Sequence, residues 1–348
     1  MPVIFSHDTA LEILRSVPPQ TGLLQSLEGE VPFGGDGITT DYRELARLDV
    51  SVLGIRRRPL HVLIGRGQRR CQSRDVVSHE FTKTGIPFSV LWGFRGRSGI
   101  PSTVYFCSPA TVFAQMAKSL SPAGLICLGY ELCGVYSHFA PTVSGFYDRP
   151  ALLAKERARR ALGELGGMRG ICQARRALSL VGDGARSPME TVAACELTLP
   201  AELGGHGFAQ PCLNFEIELD AVAAGLAGKK RCRVDIAWPG AKVGIEYNGR
   251  EFHPDPARDR KRVEALEHMG WTIRTVEMSD LTDLRRLDAI ARTLEGKAPR
   301  RKGCNASADR RQRQALHQEL LAATRCGLGL EGALFGVEVA AGSVPVHV

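Results

Sequence analysis

The chain has 348 residues, 44% of them hydrophobic, and a formal net charge of +8. It can bury one large core, although two or three smaller cores are the expected division, and the positive balance favours a polyanionic partner. Ten scattered cysteines, with no Cys-x-x-Cys pair and no close Cys/His quartet, argue against a structural zinc site and read as small buried hydrophobes of a reducing cytoplasm.

The opening "MPVIFSHDTALEIL" lacks a positive start followed by an apolar stretch, and no run approaches membrane-spanning length. A cytoplasmic protein without a membrane partner is expected. Helices are expected at Ser6–Arg15 and Asp41–Leu48, on either side of a Gly-rich stretch around "PFGGDG", and "LHVLIG" (Leu60–Gly65) and "STVYFC" (Ser102–Cys107) read as strands. Ser108 then caps a helix with Pro109 at N1, and "AGLICLGYELCGVY" continues as another apolar segment. Residues 1–150 are thus expected to form a mixed α/β N-terminal domain. His61, His79 and His138 are isolated in the sequence, and an isolated histidine is more often structural than functional.

Ala151–Leu180 holds seven basic residues against Glu156 and Glu164, and Lys297–Gln314 holds seven against Asp309. The positive charge therefore belongs to two segments. The first, in a basic helical linker over 151–182, offers Arg157, Arg159 and Arg160 as phosphate contacts; the second, opening a basic C-terminal tail over 297–348, offers Arg300 and Arg301. Solvated helix faces account equally well for such charge runs. The Gly- and Val-rich end of the tail is expected to be partly disordered.

Residues 183–296 carry the densest signals. "GARSPMET" combines Ser187 as N-cap, Pro188 at N1 and Glu190 at N3, a capping-box pattern. "NFEIELD" reads as a strand. In "RCRVDIAW", Cys232, Val234 and Ile236 share one face and Asp235 takes the other; in "KVGIEYN", Val243, Ile245 and Tyr247 share one face and Glu246 and Asn248 take the other. With Pro239 and Gly240 supplying a turn, antiparallel pairing brings Asp235 and Glu246 together on a solvent-facing surface. Adjacent carboxylates repel and want a cation, for which Mg²⁺ is the natural hard ion; pairing with an arginine such as Arg233 is the alternative. "ARDRKRVEALEHMG" reads as a helix with an apolar stripe of Val263, Leu266 and Met269, "WTIRTVEM" as a strand, and "SDLTDL" as the start of a last helix. Asp259 and Arg262, one turn apart, fit a pair near the two carboxylates or a phosphate contact, with an ordinary surface pair the expected account.

This order, α-β-β-β-α-β-α with a carboxylate on the second strand and another on the third, resembles the PD-(D/E)xK restriction-endonuclease-like fold. "RVDIAWP", "VGIEYNGREFH", "RDRKRVEALEHMGW" and "IRTV" are similar, more narrowly, to a bacterial domain family related to the very-short-patch repair endonucleases, over roughly a third of the chain. The resemblance implies an α/β protein with a restriction-endonuclease-like αβββαβ core beside the mixed α/β N-terminal domain. It also implies that Asp235, Glu246 and the backbone carbonyl of Tyr247 hold Mg²⁺ or Mn²⁺, which polarises the scissile phosphate and lowers the pKa of an attacking water. Where the family pattern has lysine, this chain has Asn248, which can orient a water but offers no charge. Lys242 is a candidate replacement. His253 resembles a histidine of the repair endonucleases suited to general-base or proton-shuttle work, and Glu190 resembles a first-helix glutamate that completes the metal shell in some members. Arg258 and Arg262 on the next helix are further candidate phosphate contacts. "SPATVFAQMA", after its short strand, also resembles the central part of abortive-infection-type antitoxin proteins. The expected function is a metal-dependent endonuclease hydrolysing phosphodiester bonds in DNA; the alternative is a catalytically inactive nucleic-acid-binding or antitoxin-like regulatory protein on a nuclease fold.

Overall fold

The computed structural model describes residues 3–16, 24–26, 41–47, 49–81, 91–94, 104–138, 145–248, 256–303 and 308–328. Strands β1 (Val3–Phe5), β2 (Leu24–Ser26), β3 (Leu60–Ile64), β4 (Val76–Glu80), β5 (Leu91–Phe94) and β6 (Val104–Cys107) form one sheet in the order β2-β5-β6-β1-β3-β4. β1 is parallel to β6 and antiparallel to β3, and β3 is parallel to β4. Two of these strands answer the expected ones. The others have only three to five residues, too short for a two-residue alternation to stand out.

Helices α1 (His7–Ser16), α2 (Tyr42–Arg47), α3 (Pro109–Met116) and α4 (Pro122–Cys133) belong to the same part of the chain. α3 and α4 start by the same device. Ser108 accepts the Thr111 N–H and Ser121 accepts the Gly124 N–H, each followed by a proline whose missing donor costs nothing there. A ribbon of β7 (Tyr136–His138) and β8 (Phe146–Asp148) leads to α5 (Lys155–Glu164) and α6 (Ile171–Leu180). The basic segment is therefore two amphipathic helices. Ala158, Leu162, Ile171, Ala174 and Leu178 are buried, while the arginines face outward.

Helix α7 (Pro188–Thr198) is buried on every side, including Glu190, Thr191, Glu196 and Thr198. Such a helix can only be an internal strut, and its polar side chains need partners within the protein. Beyond it lie β9 (Cys212–Glu218), α8 (Ala221–Ala227), β10 (Arg231–Trp238), β11 (Val243–Asn248), α9 (Pro256–His268), β12 (Thr272–Glu277), α10 (Met278–Thr282), α11 (Leu284–Leu294) and α12 (Arg310–Leu328). The second sheet has the order β12-β11-β10-β9, antiparallel from β9 to β11 and parallel between β11 and β12. The sequence reading misses α8, which is capped by Asp220.

Both faces of this sheet are covered, which corrects the expected one-sided burial. Cys232, Val234 and Ala237 join Leu266 and Trp271 in a small cluster under α9, whereas Ile236, Trp238, Val243 and Ile245 join the main core. That main core runs without a break through Ile4, Phe113, Tyr130, Val192, Ile236 and Leu320. α12, expected within a basic tail, contributes Leu316, Leu320 and Leu321 to it; each such side chain stabilises by about 1.5–3 kcal/mol when fully buried. Among the described residues, no helix is long and apolar enough to cross a membrane.

Candidate functional site

The β10–β11 register pairs Ile236 with Ile245 and Ala237 with Gly244, so its continuation sets Asp235 opposite Glu246. Side-chain alternation along β10 breaks at Asp235: Val234 packs under α9, yet Ile236, two residues on, packs in the main core. On the neighbouring strand, Asn214 lies across from Asp235, between the pairs Val234–Phe215 and Ile236–Leu213, and has a left-handed φ of 51°. Asparagine tolerates that conformation better than most residues. Its amide Nδ2 donates to Glu190 Oε2 at 2.7 Å and to the Gly184 carbonyl at 3.0 Å, while its buried Oδ1 has no hydrogen-bond partner among the described residues. The break in the sheet thus turns one strand's carboxylate and its neighbour's amide toward the first turn of α7.

There the capping box takes the form the sequence suggests, with one difference. The Glu190 N–H donates to Ser187 Oγ, but the returning carboxylate accepts from the Arg186 N–H at 2.9 Å and the Ser187 hydroxyl at 3.2 Å. Burial, followed by the negative charge of Asp235, pushes the Glu190 carboxyl well above the ordinary carboxylate range. Asp235 Oδ2 accepts the Tyr247 N–H at 2.8 Å. Capping and participation in the site are therefore properties of one side chain.

Glu246 departs from expectation. It is buried, not solvent-facing, because α9 lies over its face of β11 and the Arg262 guanidinium pairs with Glu246 Oε2. Arg262 is accordingly a partner of the candidate site instead of a surface ion pair or an outward phosphate contact. Asn248 is half-buried at the end of β11, its Oδ1 without a hydrogen-bond partner among the described residues. Lys242 cannot replace the missing lysine: it stands at the opposite end of β11 and donates through Nζ to the Met269 carbonyl. His253 lies outside the described residues, as do the side chains of Arg258 and Asp259.

The remaining basic candidates divide. Arg157, Arg159 and Arg160 are exposed, the latter two paired with Glu156 on their own helix. Arg300 lies over the Phe208 ring at 4.7 Å and donates to the His206 carbonyl, and Arg301 is half-buried. Arg300 also pairs with Glu295 and stays exposed.

Oxygen donors of this kind fit a hard divalent cation. Buried Glu190 and half-buried Asp235 repel, and Asn214 Oδ1, without a hydrogen-bond partner among the described residues, offers a neutral oxygen on the same amide that holds Glu190. A cation that also engages Glu246 has to share it with Arg262. The three carboxylates do not converge as tightly as a second group does. Among the described residues, His7, His61 and His79 bring one ligand atom each within 4.8 Å of one another. The three are half-buried, with His7 and His79 ring centroids 3.7 Å apart; the sequence reading expects His61 and His79 to be isolated and does not single out His7. Burial and then mutual proximity hold His7 down to about 3 and His79 to about 4, and burial lowers His61 as well. The sequence hides the group because its members are dispersed over three segments. The clue to Asn214 was equally slight: an asparagine inside a strand, where that residue is uncommon.

No family model matches the chain, and no solved structure is significantly similar to it. Two curated relatives are each 32% identical over 131 residues: uncharacterized protein MT2308 of Mycobacterium tuberculosis (strain CDC 1551 / Oshkosh) and uncharacterized protein Rv2248 of Mycobacterium tuberculosis (strain ATCC 25618 / H37Rv). The matched region is 37% of this chain and 44% of each relative, so the chain spans less than half the length of the curated relatives it matches.

Proposed function

We propose that residues 183–296 form a restriction-endonuclease-like core and that the protein is a divalent-cation-dependent nuclease acting on phosphodiester bonds in DNA. The strand order β12-β11-β10-β9, with one parallel pair at β11–β12 and α7 and α9 on opposite faces, supports the fold. One observation carries the function: a buried glutamate on α7 faces an aspartate at a break in the central strand, directly across from a second glutamate. Glu246 is already paired with Arg262, so the repulsion that favours a bound ion is that between Glu190 and Asp235, which a proton on Glu190 or a divalent cation removes.

In this reading Glu190 and Asp235 would hold Mg²⁺ or Mn²⁺, which would share Glu246 with Arg262; when bound, the ion would polarise a phosphoryl oxygen and acidify a water. Ser187, Arg186 and Asn214 orient the Glu190 carboxylate, and the Tyr247 N–H orients that of Asp235. Asn248 shares the Glu246 face and offers an amide that can position a water. The exposed Arg157, Arg159 and Arg160 are the candidate contacts to the nucleic-acid backbone.

The second reading, a nucleic-acid-binding module without turnover, is favoured by Arg262 on Glu246 and by Asn248 in place of lysine. Plasmid nicking with Mg²⁺ or Mn²⁺ separates the two. Nuclease function requires metal-dependent nicking that falls by at least about 100-fold in Asp235→Asn and by at least about tenfold in Glu190→Gln, which keeps the cap. DNA binding with no nicking by the wild type at any metal concentration sinks the nuclease and leaves the second reading.

A further inference from the structure

The three histidines lie in the N-terminal part of the chain and have no role in the carboxylate site. His7 stands at the β1–α1 junction, His61 on β3 and His79 on β4, so two adjacent parallel strands and the helix start next to them each supply one ring. Several bonds hold this assembly in place. The Ser6 N–H donates to the His61 carbonyl at 2.9 Å, and the His61 N–H donates to Thr9 Oγ1 at 2.9 Å. The His7 N–H donates to Gln115 Oε1 on α3 at 2.9 Å. The backbone of His7 takes a φ of 49°, a costly conformation for a residue with a side chain, and strain of this kind concentrates where a side chain must be aimed.

The ring geometry fits metal ligation. His61 Nδ1 and His79 Nε2 are 2.9 Å apart. In a tetrahedral site with metal–nitrogen bonds of about 2.0–2.1 Å, two ligand nitrogens stand about 3.3 Å apart, so an ion that replaced the His61–His79 hydrogen bond would change this separation by only a few tenths of an ångström while the rings turn toward it. His7 Nδ1 is 3.0 Å from Ser6 Oγ, a contact that helps to fix the ring. His7 and His79 also line an open cavity of about 490 Å³, together with Arg70, Lys118 and Arg169.

We propose that His7, His61 and His79 form a binding site for a borderline transition-metal ion of the Zn²⁺ class, with three imidazole ligands and the remaining coordination position open to this cavity. Three histidines with an open position are the donor set of a reactive metal centre, whereas structural zinc sites are closed by four protein ligands. The site stands independently of the nuclease reading, since it shares no residue with it.

Titration of the metal-free full-length chain with Co²⁺, followed by visible absorption, tests the site, with Zn²⁺ competition confirming affinity. The expected result is one equivalent of Co²⁺ giving the intense visible bands of a four- or five-coordinate nitrogen site, displaced by Zn²⁺. The affinity read from the intense bands should fall by more than about 100-fold in His79→Gln, beyond the loss that outer-shell partners cause. His61→Gln serves as a second variant, and a Zn²⁺-dependent rise in melting temperature, present in the wild type and absent from the variants, is an independent readout. Absence of the intense bands, so that only weak octahedral-type absorption remains, a thiolate-to-cobalt charge-transfer band, or wild-type affinity in either folded histidine variant would overturn the proposal.

Discussion

Glu131 shows how one buried side chain ties acid stability to tertiary structure. Fully enclosed in α4, it accepts two bonds from the Arg15 guanidinium, at 2.9 and 2.6 Å, and the His138 N–H at 3.1 Å. Burial alone would raise its carboxyl; Arg15 reverses this and brings it to about 2 from an ordinary value of 4.5. With the folded value depressed, its stabilisation is fully present above about pH 4.5 and is lost as pH falls toward 2. The linkage is on the order of 3 kcal/mol. Denaturant midpoints measured from pH 6 to pH 2.5 should therefore fall more steeply for the wild type than for Glu131→Gln; parallel profiles would show that Arg15 does not hold the charge. Residues also mark the limit of what the sequence discloses. The carboxylates Glu190, Asp235 and Glu246 are legible because strand parity and capping are local patterns. The cover over Glu246 is not, since it depends on how α9 rotates as Leu266 packs against Val234 and Trp271.

At the scale of elements, α12 shows how a segment read as a tail becomes part of the core. Its Arg313 donates to Asp288 and to the Gly204 carbonyl and lies 3.5 Å from Glu196 on α7, and His317 is 2.8 Å from the same glutamate. Gly204 is essential to this docking. Its φ is 91°, and a Cβ there would stand 2.4 Å from the Gln312 carbonyl oxygen. Arg313→Ala leaves the fully buried Glu196 with His317 alone and removes the ion pair with Asp288, and should cost about 3–5 kcal/mol. Gly204→Ala should destabilise as well, through strain and backbone overlap, with no loss of charge. Chemical denaturation of both variants checks the pair: wild-type stability in Gly204→Ala would mean that α12 is not seated against that turn. Basic composition alone points to a solvated helix, because the sequence does not reveal that Asp288 and Glu196 wait for Arg313.

Across the whole molecule, one core joins elements from both ends of the chain. The sequence suggests separate cores because its composition changes near residues 150 and 297, but hydrophobic continuity through Phe113, Tyr130, Val192 and Leu320 is a property of packing that composition does not carry. Unfolding should accordingly be cooperative. Far-ultraviolet dichroism and tryptophan fluorescence, which samples Trp92 on β5, Trp238 in the main core and Trp271 under α9, should give coincident denaturation curves. Two separated transitions would show that the α9 side of the second sheet melts by itself.

The strut α7 presents Glu190 to the second sheet and, six residues on, Glu196 to α12, with every residue between them enclosed. An inherited exchange that replaced either half of the protein would have to bring a matching α7 with it. Crossovers between homologous genes should therefore survive in surface connections far from this helix, and the chain should evolve by drift of its faces more readily than by trading its parts.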